Sequence, residues 1–395
     1  GFRPRRGWRV RVIVVGAGLI GCSIARFVAR AGAEVTLIDR DEPGRHASWA
    51  AAGMLAPQAE ADASNDFLSL LLKGRSLYPS LAAELLAETG IDIGYRTEGS
   101  LLLALTGEDE ESLVGRYKWQ VQGGLAVESL TPEDVLRLEP SLTRSVRAAL
   151  LLPDDHQVEN RLLNAALQQS AAVAGAELIQ EPVAEVLTER GIGVRLASGE
   201  ELRGDAVVIA AGSWSGGIRG LPRALPVEPV PGQLLAYRPD PMPLSHVVTT
   251  HRGYLVPRRD GRLIAGATVE DPSFEARTTE EGKEQVSAGA AEMLPMLRTL
   301  QVREHWAGLR PATPDRLPIL GADPDVRGLF YATGHYRNGV LLAPVTGELI
   351  GRLILGVAPG SDLTSFRVDR FATHSAQQSV ENGFRWKGRP EINSV

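Results

Sequence analysis

Gly16, Gly18 and Gly21 follow the β-branched run Val10–Val15 and open a stretch of helical spacing, Cys22–Ala31, which Gly32 ends. A second apolar run, Glu34–Asp39, closes on an acid eighteen residues beyond Gly21. Strand, glycine turn, helix and strand in this order suit a dinucleotide. Gly16 permits the tight turn, Gly18 lets a pyrophosphate approach the backbone, and Gly21 lets helix and strand pack closely. The amides at the helix start, around Leu19 and Ile20, face phosphate charge. Asp39, with Arg40 beside it, is placed to accept hydrogen bonds from ribose hydroxyls. Two arginines stand out downstream. Arg310 ends the strand-like segment His305–Arg310, and its apolar surroundings mean that its charge needs a partner: a bound carboxylate, which a guanidinium fork matches, or an internal salt bridge. Arg337 lies in a glycine turn, Gly334–Gly339, between strand and helix, where it meets either a ligand or a structural carboxylate.

Other chemistries fail on inventory. His46, His156, His246, His251, His305, His335 and His374 show no metal-ligand spacing, and there is no GxSxG elbow or P-loop, so no metal is expected. The single cysteine, Cys22, can form neither an intrachain disulfide nor a thiolate zinc cluster, and it fits a reducing compartment. The chain has 395 residues, 44% of them hydrophobic, and a net charge of −6, which excludes wholesale disorder and argues against a nucleic-acid scaffold. The arginines of Gly1–Arg11 followed by the apolar run Val12–Cys22 imitate a secretory leader. Cleavage there would delete the glycine turn, so a cytoplasmic protein that does not span a membrane is expected.

These residues need elements to hold them. Ala206–Ala210 runs into Ala211-Gly212-Ser213-Trp214, and Gly328–Ala332 runs into Gly334 and then the helix Leu342–Leu355; both place glycines at the carboxyl end of a buried strand, where open α/β sheets bind ligands. Ile91–Leu105, Val227–Tyr237, Val247–Pro257 and Arg262–Thr268 read as strands of a second, mostly antiparallel sheet. Leu113–Gly123, Pro132–Leu138 and Glu280–Leu294 read as helices. The expected fold is α/β: a discontinuous dinucleotide domain (10–85, 150–225 and 310–371) interleaved with an antiparallel-sheet α+β substrate domain (86–149 and 226–309). The basic extension 1–9 and a loose tail, 372–395, flank them.

NAD and FAD compete for the dinucleotide site. The small-residue segment Arg45–Leu55, containing Ala47, Ser48, Ala52, Gly53 and Met54, has no use in an NAD domain but suits close backbone approach to a flat flavin ring. A small-residue helix start packed on the sheet is the competing explanation. The elements VIVVGAGLIG, SWAAAGML, HRGYLVPRRDGRLIAGAT, HWAGLRPATPDRLPILG and FYATGHYRNGVLLAPVTGELI occur in this order. Together they resemble the D-amino-acid-oxidase-like FAD-dependent oxidoreductase superfamily, nearest to its glycine oxidases, over Val10 to Phe371.

That resemblance implies a glutathione-reductase-like FAD-binding Rossmann domain covered by the antiparallel sheet. It implies flavin-ring contacts from Ala52, Gly53 and Met54, an adenine contact from Val183, and a lining of Gly212 and of His335, Tyr336, Arg337, Asn338, Gly339, Val340 and Leu341. It places Arg310 and Tyr254 on the substrate carboxylate, although as residue types alone they fit a salt bridge and a core aromatic. Arg337 then faces the substrate or the flavin's developing negative charge, and Met54 and Val269 shape the pocket. Val269 stands where a glycine oxidase of this resemblance carries methionine, which leaves the preference among glycine, sarcosine and small D-amino acids open. Relatives with covalent flavin use a histidine at the position of Ala50 or a later cysteine, and this chain has neither. The FAD should be non-covalent, with His46 a surface or capping residue.

The expected activity is oxidation of small amines at a CH–NH2 group, hydride passing from Cα to flavin N5 and O2 reoxidising the flavin to give hydrogen peroxide. The resemblance further implies a role in thiamine (thiazole) biosynthesis and a homo-oligomer. A dehydrogenase of the same fold that passes electrons to a quinone or carrier, and a dinucleotide-binding redox sensor without turnover, are the alternatives.

Overall fold

The structure, a computed structural model, describes residues 10–371, so the extension 1–9 and the expected tail 372–395 lie outside the described residues. The β-branched run forms the strand Arg11–Val15, whose last four residues are all buried, as a strand covered on both faces requires. It lies inside a six-stranded sheet ordered Ile319–Ala322, Leu329–Thr333, Ala206–Ile209, Arg11–Val15, Glu34–Asp39 and Glu177–Gln180. All neighbours are parallel except Ile319–Ala322 against Leu329–Thr333. The apolar run Val12–Cys22 is therefore the interior strand and the start of the first helix.

That helix, Leu19–Arg30, starts three residues earlier than its apolar spacing suggests, because its first turn belongs to the glycine loop. It crosses the helix Gly339–Ile354 closely: a Cβ at Gly347 would meet the Ser23 carbonyl 2.8 Å away, and one at Gly351 would strike Phe27. The last helix also starts three residues early, at Gly339.

The second sheet has eight strands, ordered Glu304–Ala312, Glu228–Tyr237, Leu263–Gly266, Gly253–Pro257, Val247–Thr250, Ser100–Ala104, Ala148–Leu152 and Glu128–Leu130. Only Val247–Thr250 with Ser100–Ala104 is parallel. Side chains alternate along the long strand Glu228–Tyr237. Leu235 and Tyr237 join Val286, Ala290 and Met293 of the helix Glu280–Met293 in one core, while Leu234 and Ala236 pack with Ala50, Ala52 and Trp306 on the other face.

Several expected elements are redrawn. Ile91–Leu105 is a strand only over Ser100–Ala104, because Gly94 (φ +61°) and Gly99 (φ +93°) take left-handed conformations that break an extended run. Val247–Pro257 is a hairpin, turning between Thr250 and Gly253. The helix expected from Leu113 starts at Gly107, with Thr106 and Asp109 forming a capping box. Helices Asp66–Ser76, Tyr78–Thr89 and Asn160–Val173 complete the layer over the parallel sheet. The strands Glu304–Ala312 and Ala148–Leu152 run past the expected limits at 309 and 149.

Candidate active site

The glycine turn is held by its own backbone. Gly16 (φ +108°) has no room for a Cβ against the Ala210 carbonyl, and a Cβ at Gly21 would strike the Gly16 carbonyl. The Asp39 carboxylate accepts the Ala17 N–H at 2.6 Å and the Asp41 N–H at 3.1 Å, so the acid fixes the loop as well as bordering the cavity. Ser48 Oγ accepts the Leu19 N–H at 3.0 Å, while the Gly18 and Ile20 amides have no hydrogen-bond partner among the described residues. Those amides, the left-handed Gly16 and the acid at the strand end fit a dinucleotide.

From this turn a cavity of about 600 Å³ runs between the two sheets. Arg40, Val183, Gly212 and Trp214 line its first part, with the Arg40 guanidinium 5.3 Å from the centre of the Trp214 ring. His46 is partly exposed at the cavity's edge, bonded through Nε2 to Asp41 at 2.8 Å and packed 4.3 Å from the Trp214 ring. Cys22 is buried and donates to the Ala17 carbonyl at 3.3 Å; burial pushes its thiol pKa far up, so it is inert.

The small-residue segment combines both explanations. Ala47–Ala50 form one helical turn, and then Ala51, Ala52, Gly53 and Met54 extend along the cavity wall. Gly53 (φ +68°) leaves no space for a Cβ beside the Val158 carbonyl and the Arg258 guanidinium.

The far end is built from side chains on the eight-stranded sheet. Arg310 donates from Nη1 to the Pro231 and Thr268 carbonyls, both at 3.2 Å. Among the described residues no carboxylate pairs with it, which removes the salt-bridge alternative, and burial pulls its pKa down. Its room comes from Gly232, two residues along the paired strand, where a Cβ would strike the guanidinium. Tyr254 is paired with Gly266 across the sheet, and a Cβ at Gly266 would run into its ring. Burial raises the Tyr254 pKa and so keeps the hydroxyl a neutral donor.

Arg337 pairs with Glu60 at 2.8 Å, and that carboxylate is the main cause of its raised pKa. The structural-carboxylate alternative holds for this residue, but at the cavity wall, since Glu60, Arg337 and Tyr254 all line it. Met54 and the half-exposed Val269 complete this end. In the turn before the last helix Tyr336 is left-handed (φ 49°), and its N–H donates to the Pro311 carbonyl at 2.9 Å. His335 bonds Thr346 at 3.1 Å, and burial pushes its pKa down to about 3, so it stays neutral. Asn338, Gly339 and Val340 also face the cavity.

All but two of the candidate residues thus border one space. Gly21 serves the packing of helix on turn, and the Leu341 side chain, 1% exposed, packs in the helical core. Sequence reasoning missed Glu60, Gly232 and Gly266. The two glycines interrupt apolar strands, which signals close approach; Glu60 carries no local signal. Among the described residues no group of His, Cys, Asp or Glu could hold a metal ion, and no helix is long and apolar enough to cross a membrane.

Residues 11–353 match the family described as FAD dependent oxidoreductase. The chain is 38% identical over 356 residues to a glycine oxidase of Pseudomonas aeruginosa, covering 88% of this chain and 96% of that one. It is 37% identical to the bifunctional protein ThiO/ThiG of Trichormus variabilis, covering 93% of this chain and 57% of that protein. The crystal structure of glycine oxidase from Geobacillus kaustophilus superimposes with a TM-score of 0.88 at 37% identity, covering 91% of this chain and 99% of that one. A dinucleotide turn, a small-residue wall and an unpaired guanidinium along one cavity agree with these matches, and the chain belongs to the FAD-dependent oxidoreductase family that includes the glycine oxidases.

Proposed function

We propose that the protein is an FAD-dependent oxidase of glycine and related small amines, sarcosine and small D-amino acids among them, and that it supplies an imino acid for the thiazole of thiamine. The observation that carries this reading is Arg310, a partly buried guanidinium with no carboxylate partner among the described residues, in the same cavity as the dinucleotide turn. Gly16, Gly18, Leu19, Ile20, Asp39 and Arg40 would hold the adenosine and pyrophosphate half, with Val183 at the adenine. Ala47, Ser48, Ala52, Gly53, Met54 and the turn from His335 to Leu341 would hold the ring. Residues 10–85, 150–225 and 310–371 would then build the cofactor domain and 86–149 and 226–309 the substrate domain, with the strands Ala148–Leu152 and Glu304–Ala312 of the substrate sheet crossing the limits between them.

When bound, the flavin supplies the hydride acceptor and passes electrons to O2 to give hydrogen peroxide. Arg310 binds the substrate carboxylate through its planar fork, and Tyr254 donates a second hydrogen bond to it. Together they fix where Cα lies, so orientation carries much of the rate. Glu60 holds Arg337 at the cavity wall, where it adds positive potential without taking the place of Arg310. An amine that binds neutral needs no side-chain base. Attachment of the flavin should be non-covalent, since Ala50 is a buried alanine and Cys22 lies in the core.

Anaerobic titration of the yellow protein with glycine, sarcosine and D-alanine, followed by admission of air, tests the function. Bleaching with each productive amine, then recovery of colour with stoichiometric peroxide, is the expected result. Bleaching that persists in air until a quinone is added would make it a dehydrogenase, and no bleaching would make it a sensor. Self-association and a cytoplasmic site of action complete the proposal, and sedimentation tests the former.

A further inference from the structure

The carbonyl groups of the segment Ser48–Gly53 are taken almost one after another by donors from outside it. Asn160 Nδ2 donates to the Ser48 and Trp49 carbonyls at 2.8 and 3.0 Å, and Trp306 Nε1 donates to the Ala50 carbonyl at 3.0 Å. Arg258 Nη2 donates to the Ala52 carbonyl at 2.6 Å, and the Val158 N–H donates to the Gly53 carbonyl at 2.9 Å. The amides of Ala52 and Gly53 have no partner among the described residues, and both residues line the main cavity. In a planar trans peptide C=O and N–H point in opposite directions. A carbonyl of Ala52 tied back to Arg258 therefore turns the Gly53 N–H away from Arg258.

Arg258 is also an unusual charge. Its side chain is 5% exposed, and it bonds the carbonyls of Val158 and Ala52 and, at 3.3 Å, Asn160 Oδ1, all of them neutral acceptors. Its Nε has no partner, and its nearest carboxylate, Glu159 at 3.8 Å, is bonded to Arg262 at 3.1 Å. Burial pushes its pKa down to about 10, which leaves it charged at neutral pH. A Cβ on Gly53 would stand 2.8 Å from Nη2, so the glycine at this place answers to the arginine behind it as well as to the cavity in front. A buried cation held by neutral carbonyls costs stability, because those dipoles replace only part of its hydration. Its electrostatic benefit falls on whatever sits across the segment.

We propose that Arg258 is a positioning residue for the flavin: it sets the 52–53 peptide so that the Gly53 N–H faces the ring, and its fixed charge favours the reduced over the oxidised cofactor. The inference rests on the cavity being the flavin site. A positive charge and an aligned N–H dipole both favour the form carrying more negative charge, so reduced flavin binds more tightly than it would without them. Arg258→Lys keeps the charge and loses the fork; Arg258→Met loses both.

The test is the two-electron midpoint potential of the holoenzyme, measured by dye equilibration during enzymatic reduction, together with the Kd for FAD. Arg258→Met should lower the ratio of reduced to oxidised binding at least tenfold, which is about 30 mV for a two-electron couple. Arg258→Lys should keep most of the potential while weakening FAD binding. A holo Arg258→Met protein with the wild-type potential overturns the proposal, as does a Lys variant whose potential falls as far as that of Met. Should Arg258→Met not fold, Arg258→Gln, which keeps polar donors at the Ala52 carbonyl but loses the charge, should lower the potential too; an unchanged potential there overturns it equally. Because this reduction does not use the proposed substrate, a protein that binds FAD and titrates normally but ignores glycine would sink the proposed function and leave this inference standing.

Discussion

The two ends of the cavity are made in opposite ways. At the dinucleotide end the contacts are local and peptide-built: Gly16 to Gly21 close one turn, and the Asp39 carboxylate holds that turn through the Ala17 N–H. At the other end the side chains proposed to meet the substrate come from separate parts of the chain. Arg310, Tyr254, Arg337 and Glu60 come from three strand or turn positions and a short helix spread from residue 60 to residue 337. Glycine serves both ends, but differently. Gly16 and Gly21 let backbone approach backbone, whereas Gly232 and Gly266 clear space for a guanidinium and a phenol. The dinucleotide end thus depends on one backbone turn, and the proposed substrate end depends on side chains that can change singly.

If that contrast is right, damage at one end should leave the other working. The largest effect is expected from Arg310→Ala, which leaves a substrate carboxylate unpaired in a buried site. That costs about 3–5 kcal/mol, or roughly two to three and a half decades of kcat/KM, with the Kd for FAD unchanged. A variant of near-normal efficiency would remove Arg310 from the substrate site. Next, Asp39→Ala orphans the Ala17 N–H and loosens the turn. A hydrogen bond to a charged group is worth about 1.5–3 kcal/mol, so FAD affinity should fall roughly ten- to hundredfold. Protein saturated with FAD should then turn over normally, and a loss of kcat at saturation would show that the two ends are not separable.

A subtler change sharpens the comparison. Gly232→Ala adds one methyl group where the Arg310 guanidinium lies, and Arg310 must move or tilt. Roughly a tenfold loss of kcat/KM, about 1.4 kcal/mol, is expected, appearing mainly in KM because the fork is displaced rather than removed. Unchanged kinetics would mean that Arg310 has freedom the packing denies.

The same contrast explains which parts of the fold and the site are legible in the amino-acid sequence. The strands Glu34–Asp39 and Ala206–Ile209 and the glycine turn are legible because they are contiguous and their periods are simple. The roles of Arg310 and Tyr254 come from family resemblance, since neither residue is distinguishable by itself from a structural one. Arg337 is ambiguous for a physical reason: its partner, Glu60, is 277 residues away in the chain and carries no motif. An unbroken β-rich composition hides the hairpin at Thr250–Gly253, and apolar spacing hides the start of the helix at Gly107, which the Thr106–Asp109 cap marks instead.

The smallest effect tests how the substrate end is braced. Asp155, fully buried, accepts the Gln58 and Ala59 N–H groups at 3.2 and 3.1 Å and so caps the helix Pro57–Glu60 that presents Glu60 to Arg337. Burial outweighs those hydrogen bonds and the Arg75 charge 3.8 Å away, and pushes its pKa up to about 7. Between its unfolded value and about 7 the native protein holds a proton that the unfolded chain has released, so folding stability falls as pH rises through that window and levels off above it. Asp155→Asn cannot ionise, and any loss from its weaker cap is the same at every pH. From pH 6 to pH 8 the wild type should therefore lose on the order of 1 kcal/mol relative to the variant, read as converging or crossing denaturation midpoints. Parallel stability curves would show that Asp155 is ionised throughout and that the two amides and Arg75 hold its charge. The brace behind Glu60 would then be a charged carboxylate held by backbone amides, as Asp39 is at the glycine turn.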